Sequence, residues 1–164
     1  MLETIGYMDS PVGCLKLVQA DAAISTLHFI SESEYVGAAG VFSTPLLREC
    51  ATQLARYFEG DLIKFDFPIA QHGTDFQQRV WAQLETIPFG KTISYYQLAV
   101  KLGDAKCIRA AGTANGRNNL AIVVPCHRVV GADGSLTGYA GGLWRKQWLL
   151  EHEAKWAHGV QTLF

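Results

Sequence analysis

The first thirty residues of the chain alternate apolar and polar positions with the period of a half-buried β-sheet. Three β-rich runs, Thr4 to Met8, Leu15 to Ala20 and Ala23 to Ile30, are separated by short polar segments. Asp9 to Gly13 and Asp21-Ala22 contain the residue types that form turns. The pattern therefore predicts an antiparallel meander at the N-terminus.

The period changes to that of a helix after Thr44. Thr44 followed by Pro45 is a typical helix start, and apolar residues keep helical spacing until Gly60. Residues 60–73 have no regular period and contain proline and glycine, so we expect a connecting segment and a domain boundary there.

Short helices dominate the pattern of the second half. Thr74 with Gln77, and Ser94 with Gln97, have the spacing of capping boxes, and Asp104 can cap a third helix. The predicted helices span Thr74 to Thr86, Tyr95 to Leu102, Ala105 to Asn115 and Trp144 to Lys155. The second and third of these, joined by a glycine-containing turn, match a helix-turn-helix.

A thiol and an imidazole follow a short apolar run. Leu120 to Val124 predicts a buried strand, which leads through Pro125 to Cys126 and His127. A thiolate rather than a thiol is the nucleophile, and an adjacent base favours it near neutral pH. The pair is therefore a candidate nucleophile and base, with a buried structural cysteine as the alternative.

Composition limits the protein class. The chain has 164 residues and is 49% hydrophobic, enough for one compact unit or two small lobes. It has neither a run of membrane-span length nor a signal-peptide pattern, so we expect a cytoplasmic protein, or a nuclear one in a eukaryote. The scattered cysteines, Cys14, Cys50, Cys107 and Cys126, argue against a disulfide framework or a zinc ribbon.

The net charge of −1 conceals an asymmetry. Residues 1–74 carry 4 Lys/Arg against 9 Asp/Glu, whereas residues 75–164 carry 10 against 6. A mildly basic C-terminal part favours a polyanion as partner.

The segment from Ile122 to Val130, IVVPCHRVV, resembles the active-site signature of the O6-alkylguanine-DNA alkyltransferases, or methylated-DNA–protein-cysteine methyltransferases. Further motifs match in family order from Phe76 to about Glu153: Ile93-Ser94-Tyr95, Arg109-Ala110, Ala114 to Asn118, Gly138 to Gly142 and Trp148 to Glu153. The resemblance implies an α+β fold of two small lobes. Residues 1–73 would form a ribonuclease-H-like lobe with a small antiparallel sheet and a helix. Residues 74–164 would form a winged helix-turn-helix-like domain that carries the active-site cysteine.

The resemblance also implies a reaction. An alkyl group would pass directly and irreversibly from O6-alkylguanine, and also from O4-alkylthymine, in duplex DNA to Cys126, without a cofactor. His127 would accept the thiol proton through a water, and Glu153 would orient the imidazole, as in triad enzymes. Asn118 would tie the turn that leads into the active-site segment. Arg128 would pair locally as a structural residue, with a contribution to the positive field near the thiolate as the alternative.

A base cannot meet a protein thiol while it is stacked, so it must be flipped out. The resemblance places Tyr95, the backbone carbonyls of Cys126 and Val129, and the loop residues Tyr139 and Ala140 around the flipped base. Some family members have serine in place of Ala140. The smaller side chain here leads to the hypothesis that larger alkyl groups are accepted.

The resemblance further implies that the helix predicted over Ala105 to Asn115 enters the minor groove, with Arg109 filling the space of the flipped nucleotide. The candidate DNA-contacting residues are Ser94, Tyr95, Arg109, Ala110, Gly112, Ala114, Asn115 and Arg117. Cys14 and His28 have no companions at ligand spacing, so we expect no metal.

The expected partner is double-stranded DNA that contains alkylated bases, bound by a monomer that can cluster on DNA, with no membrane association. Three alternatives stay open. A non-enzymatic binder of alkylated DNA commonly replaces the reactive cysteine, which this chain keeps. A helix-turn-helix regulator has no need of Cys126, His127 and Glu153 together, and a cysteine hydrolase would need an oxyanion site.

Overall fold

The computed structural model of the protein describes residues 2–35, 37 and 39–158, so residues 159–164 of the predicted second domain lie outside the described part. The chain divides into two compact units, Met1–Gln71 and His72–Phe164. Both combine helices with short strands, which confirms the predicted α+β class.

The first unit contains the predicted meander. Strands β1 (Glu3–Met8), β2 (Cys14–Ala20) and β3 (Ala23–Ile30) pair antiparallel in the order β1-β2-β3. Helix α1 (Pro45–Phe58) begins where predicted, because the Thr44 side chain accepts a hydrogen bond from the backbone N–H of Leu47. The core of the unit is fully buried and includes Leu15, Leu17, Ile24, Leu27, Leu47 and Leu54.

The second unit is mainly helical. Its elements are α2 (Asp75–Leu84), β4 (Ile93–Ser94), α3 (Tyr95–Lys101), α4 (Ile108–Gly116), β5 (Val129–Val130) and α5 (Leu143–His158). Both predicted capping boxes are formed, at the starts of α2 and α3. Trp81 on α2 is buried and donates from Nε1 to the Ala114 carbonyl on α4 at 3.0 Å, which fixes these two helices against each other.

Two of the predicted helices differ at their ends. The helix expected from Ala105 to Asn115 begins with a 3₁₀ turn over Ala105–Cys107, and α4 follows it. Helix α5 is one residue longer at its start and three residues longer at its end than the prediction. No helix in the described part of the chain is long and apolar enough to cross a membrane.

The strand predicted over Leu120 to Val124 is wrong. This segment forms a buried irregular turn in which Ile122 has a φ of 72° and the Val124 N–H donates to the Leu120 carbonyl at 2.9 Å. An apolar run reports burial but not backbone conformation, and here a side chain rather than a neighbouring strand binds the backbone. The strand of this region, β5, comes after Cys126 and pairs in parallel with β4.

Candidate active site

Cys126 begins a 3₁₀ turn, Cys126–Arg128, between the irregular segment and β5. The turn closes where the Arg128 N–H donates to the Pro125 carbonyl at 3.0 Å. Pairing of Ile93 with Val129 then anchors the following residues next to the start of α3. A tight turn between fixed elements, not the end of a strand, thus holds the sulfur in place.

Asn118 ties the segment that leads to Cys126. Its Nδ2 donates to the Val124 carbonyl at 2.8 Å and to the Leu120 carbonyl at 3.3 Å, and its Oδ1 accepts from the Leu120 N–H at 3.1 Å. The amide thus replaces the partners that a strand would have supplied. This explains how a buried irregular segment satisfies its backbone polar groups.

Cys126 is buried, with only 8% of the residue exposed. Burial raises its pKa, and a hydrogen bond from Asn118 together with the nearby Lys146 charge opposes this only in part. The resting group is therefore a thiol at neutral pH. It needs a base before it can act as a nucleophile.

His127 supplies a suitable base. Its side chain is fully buried, and its Nε2 lies 2.8 Å from Oε2 of Glu153. Burial lowers the pKa of His127 despite the neighbouring Glu153 carboxylate, so the ring is neutral at pH 7. An ionised carboxylate can only accept hydrogen bonds, so Nε2 carries the hydrogen and Nδ1 is a proton acceptor. Nδ1 has no hydrogen-bond partner among the residues that the structure describes.

Glu153 is held as an anion by two neighbours. Burial alone would raise its pKa, but the charges and hydrogen bonds of His127 and Arg128 outweigh it and hold the pKa well below its usual range. Arg128 contacts both carboxylate oxygens, at 2.8 and 3.0 Å, and donates to the Ile87 carbonyl at 2.6 Å. The prediction that Arg128 pairs locally is wrong, because its carboxylate partner lies 25 residues away on α5.

Lys146 is a site residue that the sequence analysis missed. It is fully buried on α5, and its Nζ donates to the Thr137 carbonyl at 2.7 Å and lies 5.8 Å from the centre of the Tyr95 ring. Burial lowers its pKa to about 8, although the nearby Cys126 works in the other direction. Lys146 lies seven residues, or about two helical turns, before Glu153 in the same predicted helix. This spacing could have predicted that both side chains lie on the same face of the helix.

The loop before α5 carries the remaining predicted base-binding residues. Burial of the Tyr139 hydroxyl raises its pKa, and the charges of Cys126 and Glu153 add to this effect. Tyr95 Oη lies 3.5 Å from the Thr137 carbonyl of the same loop, and Ala140 is exposed. The tyrosine at the start of α3 thus reaches the loop that Lys146 holds.

The Cys126 carbonyl, expected to bind the base, is already engaged. It accepts from the Val129 N–H and, at 3.3 Å, from Nδ2 of Asn115. Asn115 is buried, as is Ala114, so neither lies on the exposed face of α4. The prediction that these two residues contact DNA is corrected accordingly, because the 3.6-residue period turns them inward with Ala111.

The other predicted DNA-contacting residues lie at or near the surface. Arg109, Ala110 and Arg117 are exposed, and Gly112 is half-buried. A Cβ on Gly112 would lie 3.6 Å from the Tyr95 ring, so the glycine brings α4 close to that side chain. Half-buried Ser94 accepts from the Gln97 N–H at 3.0 Å and so caps α3.

Comparison with known proteins identifies the family of both units. Residues 4–71 match the ribonuclease-like domain of the 6-O-methylguanine DNA methyltransferases, and residues 75–155 match their DNA-binding domain. A curated relative from Mycolicibacterium paratuberculosis, named methylated-DNA–protein-cysteine methyltransferase, is 44% identical over 158 residues and covers 96% of each chain. The constitutive enzyme of that name from Bacillus subtilis is 42% identical over 139 residues, covering 81% of this chain and 84% of its own.

Solved structures agree with the sequence matches. The Mycobacterium tuberculosis O6-methylguanine methyltransferase crystal structure superposes with a TM-score of 0.82 at 42% identity, over 94% of each chain. The structure of the M. tuberculosis protein in complex with DNA gives a TM-score of 0.81 at 44% identity, over 93% of each chain. Because both domains match the family and the relatives are similar over most of the chain, the chain belongs to the 6-O-methylguanine DNA methyltransferase family.

Proposed function

We propose that this chain is a single-turnover methylated-DNA–protein-cysteine methyltransferase that repairs O6-alkylguanine in duplex DNA. The observation that carries the proposal is a buried thiol, Cys126, followed in the chain by an imidazole whose Nδ1 is an acceptor and whose Nε2 is held by Glu153. The family to which the chain belongs, and relatives with that name at 42–44% identity, support the same activity.

The reaction is a direct displacement at carbon. The Cys126 thiol gives its proton to Nδ1 of His127, through a bridging water, and the sulfur attacks the alkyl carbon. The carbon–oxygen bond breaks, its electron pair stays on the purine oxygen, and the purine takes up a proton from water to become guanine. The imidazolium of His127 afterwards returns the thiol proton to water, so that no net proton is gained or lost. Glu153 stabilises the imidazolium that forms, in the nucleophile–base–orienter arrangement of triad enzymes.

The product explains why each molecule acts once. A thioether is a poor leaving group, and the described site contains no group assigned to activate a water against it. The alkyl group therefore stays on Cys126. The free thiols at Cys14, Cys50 and Cys107 take no part in this step.

DNA binding places the lesion at this thiol. We assign α4 to the minor groove, with exposed Arg109 filling the space of the flipped nucleotide and Arg117 contacting a phosphate. Tyr95 and the loop residues Tyr139 and Ala140 then contact the flipped base, for which extrusion costs least when pairing is already weakened. The M. tuberculosis structure in complex with DNA supports DNA as the partner, and we propose a monomer on duplex DNA as the binding unit.

A stoichiometry experiment tests the proposal. The protein is incubated with excess duplex DNA that carries one O6-methylguanine, and repaired sites are counted per protein chain over time. We expect one repaired site per chain, with no slow second turnover, and none for Cys126→Ala. Tight binding of the lesion without repair by the unaltered protein would contradict the proposal and identify a non-enzymatic binder.

A further inference from the structure

The guanidinium of Arg128 donates hydrogen bonds to both oxygens of the Glu153 carboxylate. Its Nε donates to Oε1 at 2.8 Å and its Nη2 donates to Oε2 at 3.0 Å, while Nη1 donates to the Ile87 carbonyl at 2.6 Å. Oε2 also accepts from His127 Nε2 at 2.8 Å. A fixed cation and the proposed base therefore share one buried carboxylate.

Other charged and titratable groups face the same pair of side chains. Lys146 on α5 lies near enough to disfavour a positive charge on His127, as Arg128 also does. Tyr139 in the loop and Cys126 interact electrostatically with each other, and Tyr139 does so with Glu153. Among these groups, Arg128 is the cation that donates hydrogen bonds to both carboxylate oxygens.

A proton added to the Glu153–His127 pair would disable the acceptor nitrogen at either place. On His127 it would make an imidazolium, in which both ring nitrogens are donors. On Glu153 it would make a carboxylic acid that donates to Nε2, so that the neutral ring would carry its hydrogen on Nδ1. In both cases Nδ1 can no longer accept the thiol proton.

We propose that Arg128 is a positioning residue of the alkyl-transfer site: its positive charge, held against Glu153 by two hydrogen bonds, keeps the Glu153–His127 pair free of an added proton, so that Nδ1 of His127 stays an acceptor. The inference rests on the proposed function, because it assigns Nδ1 the task of receiving the proton of Cys126. It goes beyond that function by assigning the arginine a part in the protonation state of the base. A guanidinium suits the task because it keeps its charge and binds a carboxylate through two parallel hydrogen bonds.

Two variants separate this role from a purely structural one. The single-turnover rate of alkyl transfer from O6-methylguanine DNA is measured across the acid-to-neutral pH range for the unaltered protein, Arg128→Gln and Arg128→Lys. Loss of the adjacent cation should move the acid limb of the Arg128→Gln profile to higher pH by about one unit or more. Arg128→Lys keeps a charge but loses the fork, so its rate should be lower at every pH while its acid limb stays near that of the unaltered protein.

Either of two outcomes would overturn the proposal. An acid limb for Arg128→Gln at the pH of the unaltered protein would show that the charge has no influence on the base. Equal shifts in Arg128→Gln and Arg128→Lys would show that packing alone matters.

NMR of the imidazole nitrogens of His127 in the unreacted protein gives a test that needs no variant and no substrate. We expect a neutral ring with its hydrogen on Nε2 at neutral pH. An imidazolium, or a hydrogen on Nδ1, would refute the role of Arg128. If the ring is neutral with its hydrogen on Nε2 and transfer nevertheless fails, the proposed function is refuted and the role of Arg128 in setting the ring state is not.

Discussion

Replacement of Asn118 by alanine should weaken both the fold of the second unit and the reaction. The change removes three hydrogen bonds between the side chain and the backbone of the turn before Cys126, at 2.8, 3.1 and 3.3 Å. A net hydrogen bond contributes about 1 kcal/mol, and an orphaned buried partner adds to the loss, so the free energy of unfolding should fall by roughly 2–4 kcal/mol. In a chain of this size each kcal/mol lowers Tm by about 2–4 °C, which predicts a drop of roughly 4–16 °C.

The same substitution should slow alkyl transfer. The Asn118 side chain hydrogen-bonds the Cys126 sulfur and lowers the pKa of that thiol, so its loss makes the thiolate harder to form. The rate is measured in a single turnover at a temperature where the variant is fully folded, as judged by circular dichroism. Under those conditions a slower reaction reports the thiol and not unfolding.

Asn118→Asp is the matched control for this prediction. It keeps an acceptor for the Leu120 N–H but turns an anion towards the Leu120 and Val124 carbonyls and towards the sulfur. We expect transfer to be slower than in Asn118→Ala, because a nearby anion raises the pKa of a thiol further. An alanine variant that melts within a degree or two of the unaltered protein and reacts at the same rate would refute the reasoning.

Three further predictions follow from the buried groups. The first compares Cys126→Ser with the double variant Cys126→Ser/Lys146→Met. As the pH rises from 8 to 10.5, the free energy of unfolding of the protein that keeps Lys146 should increase relative to that of the protein with methionine. The folded pKa of about 8 lies below the ordinary 10.5, so the unfolded state binds more protons in that window; parallel urea-unfolding profiles would contradict this. Glu153→Gln leaves the Arg128 charge buried without its anion and should cost about 3–5 kcal/mol in denaturant unfolding, whereas a loss below 1 kcal/mol would count against a buried ion pair. Burial raises the pKa of Cys50 to about 12, so iodoacetamide at pH 8 should leave Cys50 unmodified until denaturant is added, and labelling in the native state would contradict its burial.

Local signals in the sequence predicted the helices well. The capping boxes at Thr74 and Ser94 formed as expected, because each depends only on residues three positions apart. The turn from Leu120 to Val124 was predicted as a strand because β-branched residues are typical of strands. The sequence pattern does not indicate that Ile122 has a left-handed backbone conformation or that the Asn118 amide binds the backbone of the turn. That arrangement depends on a side chain outside the apolar run, which periodicity does not report.

The site shows the same division between local and distant information. Spacing on α4 was enough to place Ala114 and Asn115 on the buried face with Ala111, and a stricter use of the helical period would have removed both from the DNA-contacting set. The contact of Arg128 with Glu153 joins residues 25 positions apart, and no local pattern reveals it. Only the folded chain shows that the base, its carboxylate and the arginine form one buried group.

The central claim concerns a single sulfur atom, so the most direct measurement locates the transferred group. After reaction with duplex DNA that carries O6-methylguanine, the protein is digested and each cysteine-containing peptide is weighed. The account predicts one added CH2 group on the peptide that contains Cys126 and unchanged masses for those that contain Cys14, Cys50 and Cys107. A methyl group on any other residue, or repaired DNA with all four cysteines unmodified, would contradict it.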